Sequence, residues 1–191
     1  MGHVISFEER AVARLRDRLG AVESARADLA AFARDHSVAV ATIHEAALAA
    51  MDANDLEELI AVVTRDWPAI LGVDSVALAF VVGGRAFRAD AAGVGEFSRA
   101  VIDRTIANLG DITLRTTDRG HPLFGDAATA IQAESLILFE TAGRMPYGLL
   151  AIGQHEAPQI EHGQSSDLLL FLAATLASMM RRCVMEGMTR A

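Results

Sequence analysis

The sequence has no lysine and only one cysteine in 191 residues. All 17 basic residues are therefore arginines; 25 acidic residues outnumber them and leave a formal charge of −8. This surplus of negative charge disfavours direct binding of nucleic acid, because such binding depends on neutralising phosphates. The single cysteine, Cys183, has no partner for an internal disulfide, which is typical of a protein from the reducing cytoplasm.

Long apolar runs are also absent. The longest, residues 168–180, stops after 13 residues and is bounded by Asp167 and Arg181, whereas a membrane span needs about 20. A run of this length is typical of a buried core helix. The N-terminal residues have no apolar stretch followed by a small-residue cleavage site, so they predict no secretory signal. We therefore expect a cytoplasmic protein with no membrane partner.

Motifs for catalysis, cofactors and metals are missing as well. The chain has no G-x-S-x-G nucleophile turn, no phosphate-binding glycine loop with a lysine, and no dinucleotide-binding fingerprint. His36 and His44 are too far apart for the adjacent-turn histidine pair that binds zinc, and no cysteine accompanies them. Arg181 and Arg182 would lower the pKa of Cys183, but an inert helix-packing thiol is the simpler interpretation. We expect no catalytic residue, no cofactor and no metal ion.

The first 52 residues predict a long helix that pairs with a second chain. Between Phe7 and Met51 there is no proline, and apolar residues recur at alternating steps of four and three, as in a coiled-coil seam. Arg26 and His36 interrupt this stripe. They either set the register of the seam or mark a break between two helices, with Ser37 as an N-cap, and the sequence leaves both open. The predicted dimer seam consists of Leu15, Leu19, Val22, Leu29, Val40 and Ile43, with help from Leu168, Phe171, Leu172, Leu176 and Met179 in the closing helix.

After residue 52, helices and strands alternate. An amphipathic helix begins at Asn54 or Asp55 and is kinked or ended by Pro68, with Trp67 half-buried at its edge. The pair Gly83–Gly84 joins two strands as a tight hairpin. Strands are predicted at 74–82, 85–90, 111–117, 134–142 and 147–155, and helices at 95–110, from Asp126, and at 164–185 with Ser165 or Ser166 as N-cap. Strands outnumber crossover helices, which predicts an α+β fold with an antiparallel sheet and the terminal helices on one face.

The segment PYGLLAIGQHEAPQI, residues 146–160, is predicted to be the last strand and its exit to the closing helix. Its run Leu149–Ile152 fits a strand covered on both faces, and Pro158 delays the start of the next helix. His155 is then expected at the strand end, facing solvent, rather than in an active site.

The segment RTTDRGHPLFGDAATAI, residues 115–131, is the strongest candidate for a binding site. Its arginines, histidine and phenylalanine suit a small anionic or planar ligand. The alternative is an ordered loop in which Leu123 and Phe124 fill the core and Asp126 caps a helix. The pocket hypothesis takes in Phe80, Phe87, Arg88, Arg115, Arg119, His121 and Phe124.

Four segments resemble a bacterial family: VISFEERAVARLRDRL, WPAILGVDSVAL, RGHPLFG, and PYGLLAIGQ followed by HGQSSDLLLFLAATLASMMRR. On these the chain is identified as a member of domain-of-unknown-function family 484, a relative of the GAF sensor domains. The resemblance implies a GAF-like antiparallel sheet of about five to six strands flanked by helices, an N-terminal coiled-coil region and a homodimer. Family genes often lie near a tyrosine-recombinase gene, which implies a link to DNA maintenance.

The expected organisation is an N-terminal helical dimerisation segment at 1–52, a GAF-like domain at 53–185 and a flexible tail at 186–191. The expected function is that of a non-enzymatic sensory or regulatory protein of unknown ligand, dimerising through its N-terminal and C-terminal helices. The alternative is a protein–protein adaptor with an empty pocket, acting on a tyrosine recombinase or another DNA-maintenance enzyme. A cavity lined by Arg88, Arg115 or Arg119 favours the sensor, and a pocket filled by Phe80, Phe87 and Phe124 favours the adaptor.

Overall fold

The computed structural model describes residues 7–140, 146–156 and 165–190. Contacts divide the chain into two compact units, one ending at Ala41 and the other beginning at Thr42. The elements in chain order are α1 (Phe7–Asp52), α2 (Leu56–Ala61), a π-helical turn (Val62–Asp66), α3 (Trp67–Leu71), β1 (Ser75–Val82), β2 (Arg85–Asp90), β3 (Gly93–Glu96), α4 (Arg99–Ala107), β4 (Ile112–Thr116), a 3₁₀ helix (Pro122–Thr129), β5 (Ala133–Glu140), β6 (Tyr147–Gln154) and α5 (Ser165–Arg190).

The strands form one six-stranded antiparallel sheet in the order β3-β2-β1-β6-β5-β4. The turn Gly83–Gly84 fixes the register of β1 and β2, because both glycines adopt the positive φ values, 59° and 80°, that a two-residue hairpin requires. Phe80 consequently lies directly opposite Phe87. The prediction of an antiparallel α+β sheet is confirmed.

One face of the sheet, which we call the long-helix face, carries Val76, Leu78, Phe80, Ile137 and Leu150. It is covered by the end of α1, by the helical stretch α2–α3 and by α5. These elements and the sheet bury a continuous apolar core between them. Burial of apolar surface in such a core is the main source of stability of a folded domain.

Trp67 lies within this core and is fully buried. Its indole N–H donates to the carbonyl oxygen of Ala46 in α1 at 2.9 Å. The prediction of a half-buried tryptophan at a helix edge is therefore wrong. Pro68 occupies the first turn of α3, a position that tolerates the missing N–H of proline. The helical stretch therefore continues past the proline to Leu71, and its irregular part is the π-helical turn Val62–Asp66 that precedes it.

Capping fixes the start of α2 at the predicted residue. The Asp55 carboxylate accepts the Glu58 backbone N–H at 2.8 Å, and Glu58 in turn accepts the Asn54 backbone N–H at 2.8 Å. This reciprocal arrangement satisfies donors that would otherwise be left free at the helix N-terminus.

The opposite face, which we call the loop face, carries small and branched side chains, among them Ala77, Ala79, Val81, Leu149 and Ala151. It is covered by α4 and by the 3₁₀ helix with the residues that follow it. The small strand residues leave depth above the sheet, and side chains from the covering segments occupy it.

The predicted helix at 95–110 begins later than expected. Residues 93–96 instead form β3, an edge strand that pairs with β2 and places Glu96 opposite Phe87. Ser98 takes the N-cap position and α4 starts at Arg99. The helical spacing of Phe97 and Val101 gave no sign of the preceding strand, because a four-residue strand is too short to show an alternating pattern.

Helix α1 is one continuous helix, so the break proposed around His36 does not occur. Ser37 is a mid-helix residue whose hydroxyl donates to the Ala33 carbonyl at 2.8 Å. Among the predicted seam residues, Leu19, Val22 and Leu29 are 59%, 65% and 67% exposed, and Val40 is partly buried. Ile43 is only 6% exposed and belongs to the long-helix core, so it is occupied within its own chain. The side chain of Leu15 lies outside the described residues.

Helix α5 packs one side against the sheet through buried residues such as Leu172 and Leu176, which places these two predicted seam residues in the core instead. Phe171 is about half exposed. Arg182 donates to the carbonyl of Ala53 at 2.6 Å and to that of Met51 at 3.2 Å, which satisfies acceptors at the end of α1.

By length and composition, the segment Ser166–Gly187 of α5 contains an 18-residue stretch that is apolar enough to cross a membrane, with a mean hydropathy of 1.6. The expectation that no stretch of the chain is long and apolar enough for a membrane span therefore does not hold for α5. A third of the 18-residue stretch is buried inside the protein. Core helices of soluble proteins have the same length and apolar character, so this feature is weak evidence for a span.

The end of the chain also differs from expectation. Helix α5 extends to Arg190, so residues after 185 that were predicted as a tail are helical. The predicted turn at 143–146 falls largely, and the connection around Pro158 wholly, outside the described residues.

Candidate functional site

The structure distributes the predicted pocket residues over both faces of the sheet. Phe80 and Phe87 stack at a centroid distance of 5.6 Å on the long-helix face. Arg88, Arg115, His121 and Phe124 belong to the loop face or its cover. Because side chains alternate along a strand, Phe87 and Arg88 point in opposite directions. The seven residues therefore do not line one pocket.

Phe124 fills the loop face instead of bordering a cavity. It is 2% exposed and packs with Leu123 and Ile131 over the strands. Two glycines make room for these side chains: a Cβ at Gly120 would lie 2.7 Å from Cβ of Ile131, and a Cβ at Gly153 would lie 2.9 Å from the Phe124 ring. Of the two interpretations of this segment, the one in which Leu123 and Phe124 fill the core is correct for these two side chains.

His121 holds the start of the 3₁₀ helix. Its Nδ1 accepts the Leu123 backbone N–H at 3.3 Å, and its Nε2 lies 2.9 Å from the Thr105 hydroxyl of α4. Because Nδ1 is an acceptor, the neutral ring carries its proton on Nε2 and donates it to Thr105. The histidine thus ties the loop to α4.

Glu134, 3% exposed at the start of β5, anchors the same loop. One carboxylate oxygen accepts the His121 backbone N–H at 2.6 Å, and the other accepts from Nε of Arg115 at 2.7 Å. Arg115 and Glu134 lie directly opposite each other on β4 and β5, so the sheet register brings the ion pair together. A buried carboxylate requires such partners.

The surroundings of His121 favour its neutral form. Burial is the main effect and lowers the pKa of the imidazole below its usual 6.5, the Arg115 cation lowers it further, and Glu134 opposes both. Both ring nitrogens are engaged within the protein, so His121 is a structural residue of the loop in this conformation.

Arg88 is also held internally. Its guanidinium forms an ion pair with Asp90 at 3.0 Å and lies against Gly125, where an added Cβ would meet it at 2.7 Å. Gly125 has a positive φ of 58° and kinks the 3₁₀ helix, which brings the backbone close to the arginine. Arg119 is exposed on the surface.

An open depression of about 510 Å³ lies beside this loop, lined by Thr116, Thr117, Asp118 and Gln132. The Thr117 hydroxyl donates to the Arg119 carbonyl at 2.6 Å, which shapes its rim. None of the predicted arginines lines it.

His155 lies at the end of β6 and is exposed, as predicted. It has a partner that the sequence did not suggest, because its backbone N–H donates to Asp74 at 2.7 Å and its ring nitrogen lies 3.3 Å from the same carboxylate. This pair fastens the end of β6 to the start of β1.

Cys183 is buried in α5. Burial raises the pKa of its thiol above the ordinary value and outweighs Arg182, which acts in the opposite direction. A buried, protonated thiol is a poor nucleophile. Within the described ranges, no three His, Cys, Asp or Glu side chains gather as a metal site would need.

The second candidate site is the exposed stripe of α1. Leu19, Val22 and Leu29 recur along one side of the helix with Val40, and Phe32, which is half exposed, widens the stripe. The side chains of Leu19, Val22 and Leu29 are each more than half exposed. An apolar stripe at heptad spacing is the usual surface for helix pairing.

Sequence reasoning missed Glu134, Thr105 and Asp74. Glu134 had a signal: it is the single charged residue at the head of the apolar segment AESLILF, and a buried carboxylate there requires a cation such as Arg115 on a neighbouring strand. Thr105 and Asp74 had none, because their partners are brought close only by the tertiary fold.

A family model described as "Protein of unknown function, DUF484" matches residues 1–185. No curated protein matches the sequence.

Solved structures show the fold. The free methionine-R-sulfoxide reductase of Neisseria meningitidis superposes with a TM-score of 0.55 at 16% identity, covering 76% of this chain and 89% of the other. The GAF domain of a protein described as a sensor histidine kinase in Pseudomonas syringae pv. tomato gives 0.53 at 13% identity, covering 85% and 99%. The photosensory core module of a Stigmatella aurantiaca phytochrome gives 0.50 at 16% identity, covering 74% and 36%. At these identities the similarity establishes a GAF-like fold and no activity.

Proposed function

This chain belongs to the DUF484 family, and from that premise we propose that it is a non-catalytic regulatory module that acts through protein–protein contacts as a helix-paired homodimer. The observation that carries the proposal is the filled loop face together with the exposed stripe on α1. The first fills the pocket predicted on the loop face with side chains of the protein itself, and the second offers a surface for another chain.

The filling of the loop face supports an adaptor over a small-molecule sensor. Leu123, Phe124 and Ile131 occupy the depth above the small strand residues. Two of the three arginines expected to bind an anion have carboxylate partners instead: Arg115 has Glu134 and Arg88 has Asp90. The third, Arg119, is exposed on the surface. A ligand at this face would have to displace the packed Phe124 ring and draw Arg115 away from the buried carboxylate of Glu134.

The same contacts argue against catalysis. A general acid–base residue needs a ring nitrogen or oxygen that reaches the substrate, and both nitrogens of His121 already bond within the protein. Glu134 holds backbone and Arg115 with its two oxygens. The buried Cys183 lies in α5 and away from these groups, and its thiol is kept protonated by burial.

Homodimerisation is supported by the stripe of α1. From Leu19 to Val40 the helix spans about 33 Å at a rise of 1.5 Å per residue, and its large apolar side chains are mostly solvent-exposed. Pairing with an identical helix would bury this stripe at matching heptad positions. The link to a tyrosine recombinase or another DNA-maintenance enzyme stays a prediction.

Native mass spectrometry of the protein purified from its own host tests the proposal. We expect the dimer mass with no retained small molecule. A small molecule at one per chain would overturn the adaptor and favour the sensor, and a monomer at micromolar concentration would overturn the paired helix.

Two variants locate the interface. Leu29→Glu adds a charge on the stripe and should convert the dimer to monomer in sedimentation velocity. Ser24→Glu adds the same charge at an exposed position off the stripe and should leave the dimer intact. Equal behaviour of the two variants would show that α1 pairs elsewhere or not at all.

A further inference from the structure

We infer that α1 pairs with α1 of a second copy in parallel and in register, and that ion pairs between Arg18 of one chain and Glu23 of the other fix this arrangement. The inference rests on the proposed homodimer and specifies its orientation. It follows from where charged residues stand beside the apolar stripe.

The step pattern of the stripe assigns heptad positions. In a repeat written abcdefg, Leu19, Arg26, Ala33 and Val40 take a, and Val22, Leu29 and His36 take d. The flanking g positions then include Arg18, and the flanking e positions include Glu23. Arg18 and Glu23 lie on either side of the seam near Leu19 and Val22, where the stripe is exposed.

In a parallel, in-register pair, each g residue lies beside the e residue five positions later on the partner helix. Arg18 thus meets Glu23 of the second copy, and the two-fold symmetry creates this pair twice. Within one helix the same residues cannot meet, because a separation of five places them about 140° apart around the axis. Neither residue has an ion pair among the described residues.

The antiparallel arrangement offers no such complement. With the two stripes fully overlapped, g faces g and e faces e. Arg18 would lie beside Phe32 or Ala39 of the second copy. Glu23 would lie beside Ala30 or Ser37, so neither charge would gain an opposite partner.

A slipped parallel pair is also disfavoured. A shift of one heptad places Arg18 beside Arg16 or Ala30 of the second copy, in place of Glu23. The in-register pair brings Arg26 opposite Arg26, which weakens the dimer; a polar residue at a seam position is a known means of fixing register at the expense of affinity. The Arg18–Glu23 ion pairs offset the repulsion between the two Arg26 side chains only when the helices are in register.

Charge exchange tests the ion pair. Arg18→Glu and Glu23→Arg each convert two attractive contacts into repulsive ones, so each single variant should weaken dimerisation about tenfold. The double variant Arg18→Glu/Glu23→Arg restores both pairs across the dimer and should recover most of the affinity. If both single variants dimerise weakly and the double variant dimerises no more tightly than they do, the inferred contact is overturned.

Cysteine cross-linking tests orientation and register. In a Cys183→Ala background, Val22→Cys and Leu29→Cys should each give a disulfide-linked dimer alone, because each faces its own copy in the aligned pair and d-position Cβ atoms lie within disulfide reach. The background variant alone should give none, and circular dichroism checks that each variant keeps its helix content.

The antiparallel result has its own signature. Overlap of the full stripes would place Val22 opposite Ala33, so mixed Val22→Cys and Ala33→Cys proteins would link to each other while Val22→Cys alone would not. That outcome would overturn the parallel arrangement and leave the proposed homodimer standing. A monomer in all variants and in the parent protein would instead overturn the homodimer itself.

Discussion

Replacing Phe124 by alanine should destabilise the protein by about 3–5 kcal/mol, the usual range for emptying a buried phenylalanine site. The ring is 2% exposed and is packed against Ile131 and the glycines of the neighbouring segments. Gly120 and Gly153 have no side chains to move into the space. The site therefore collapses poorly, and we expect a value towards the upper end of this range.

Urea denaturation followed by far-UV circular dichroism measures this loss. Val94→Ala, a smaller truncation at an exposed position of β3, should cost less than about 0.5 kcal/mol, as surface changes do. A small aromatic solute such as indole should raise the midpoint of Phe124→Ala and leave the parent protein unchanged, because only the variant has a dry cavity. A loss below about 1 kcal/mol would refute the idea that Phe124 fills the face on which a ligand would otherwise sit.

Three further changes test other contacts. Gly148→Ala should prevent stable folding or cost more than about 3 kcal/mol, since the added Cβ would overlap the backbone carbonyl of Ala79 on the adjacent strand; thermal unfolding of purified protein checks this. His121→Asn should flatten the fall in stability as pH drops below about 6.5, because the histidine pKa is lower in the folded chain than in the unfolded one and the unfolded chain then binds more protons; urea midpoints between pH 7.5 and 5.5 measure the slope, and a variant as steep as the parent protein would contradict the lowered pKa. Arg26→Leu should tighten the dimer by removing facing charges, and sedimentation equilibrium that shows weaker association would contradict the assigned seam.

The hairpin and the capped start of α2 were readable because each depends on neighbouring residues. Gly83 and Gly84 supply the positive φ that their turn needs, and Asp55 lies three residues before the N–H that it accepts. The same turn sets the register that places Phe80 opposite Phe87. Which side the loop at 115–131 covers was not readable, since that depends on how distant segments pack.

The candidate site divides in the same way. That Phe124 plugs the core was one of two interpretations, and the pattern of residues could not choose between them, because a phenylalanine lines a pocket and fills one equally well. The choice depends on the small residues beneath it, Ala79 and Ala151, and on Gly153 beside it. Burial of Trp67 was missed for a related reason: its hydrogen-bond acceptor, Ala46, belongs to another helix.

The placement of the two chromophores gives the protein a built-in optical readout. The chain has one tryptophan and one tyrosine. Trp67 is sealed in the long-helix core with its indole bonded to α1, while Tyr147 packs on the loop side and donates to Asp103 of α4 at 3.1 Å. Fluorescence of the indole therefore reports hydration beneath the long helices, and tyrosine absorbance reports opening beneath α4. Recorded together during unfolding, the two signals reveal which side of the sheet loosens first, without any added label.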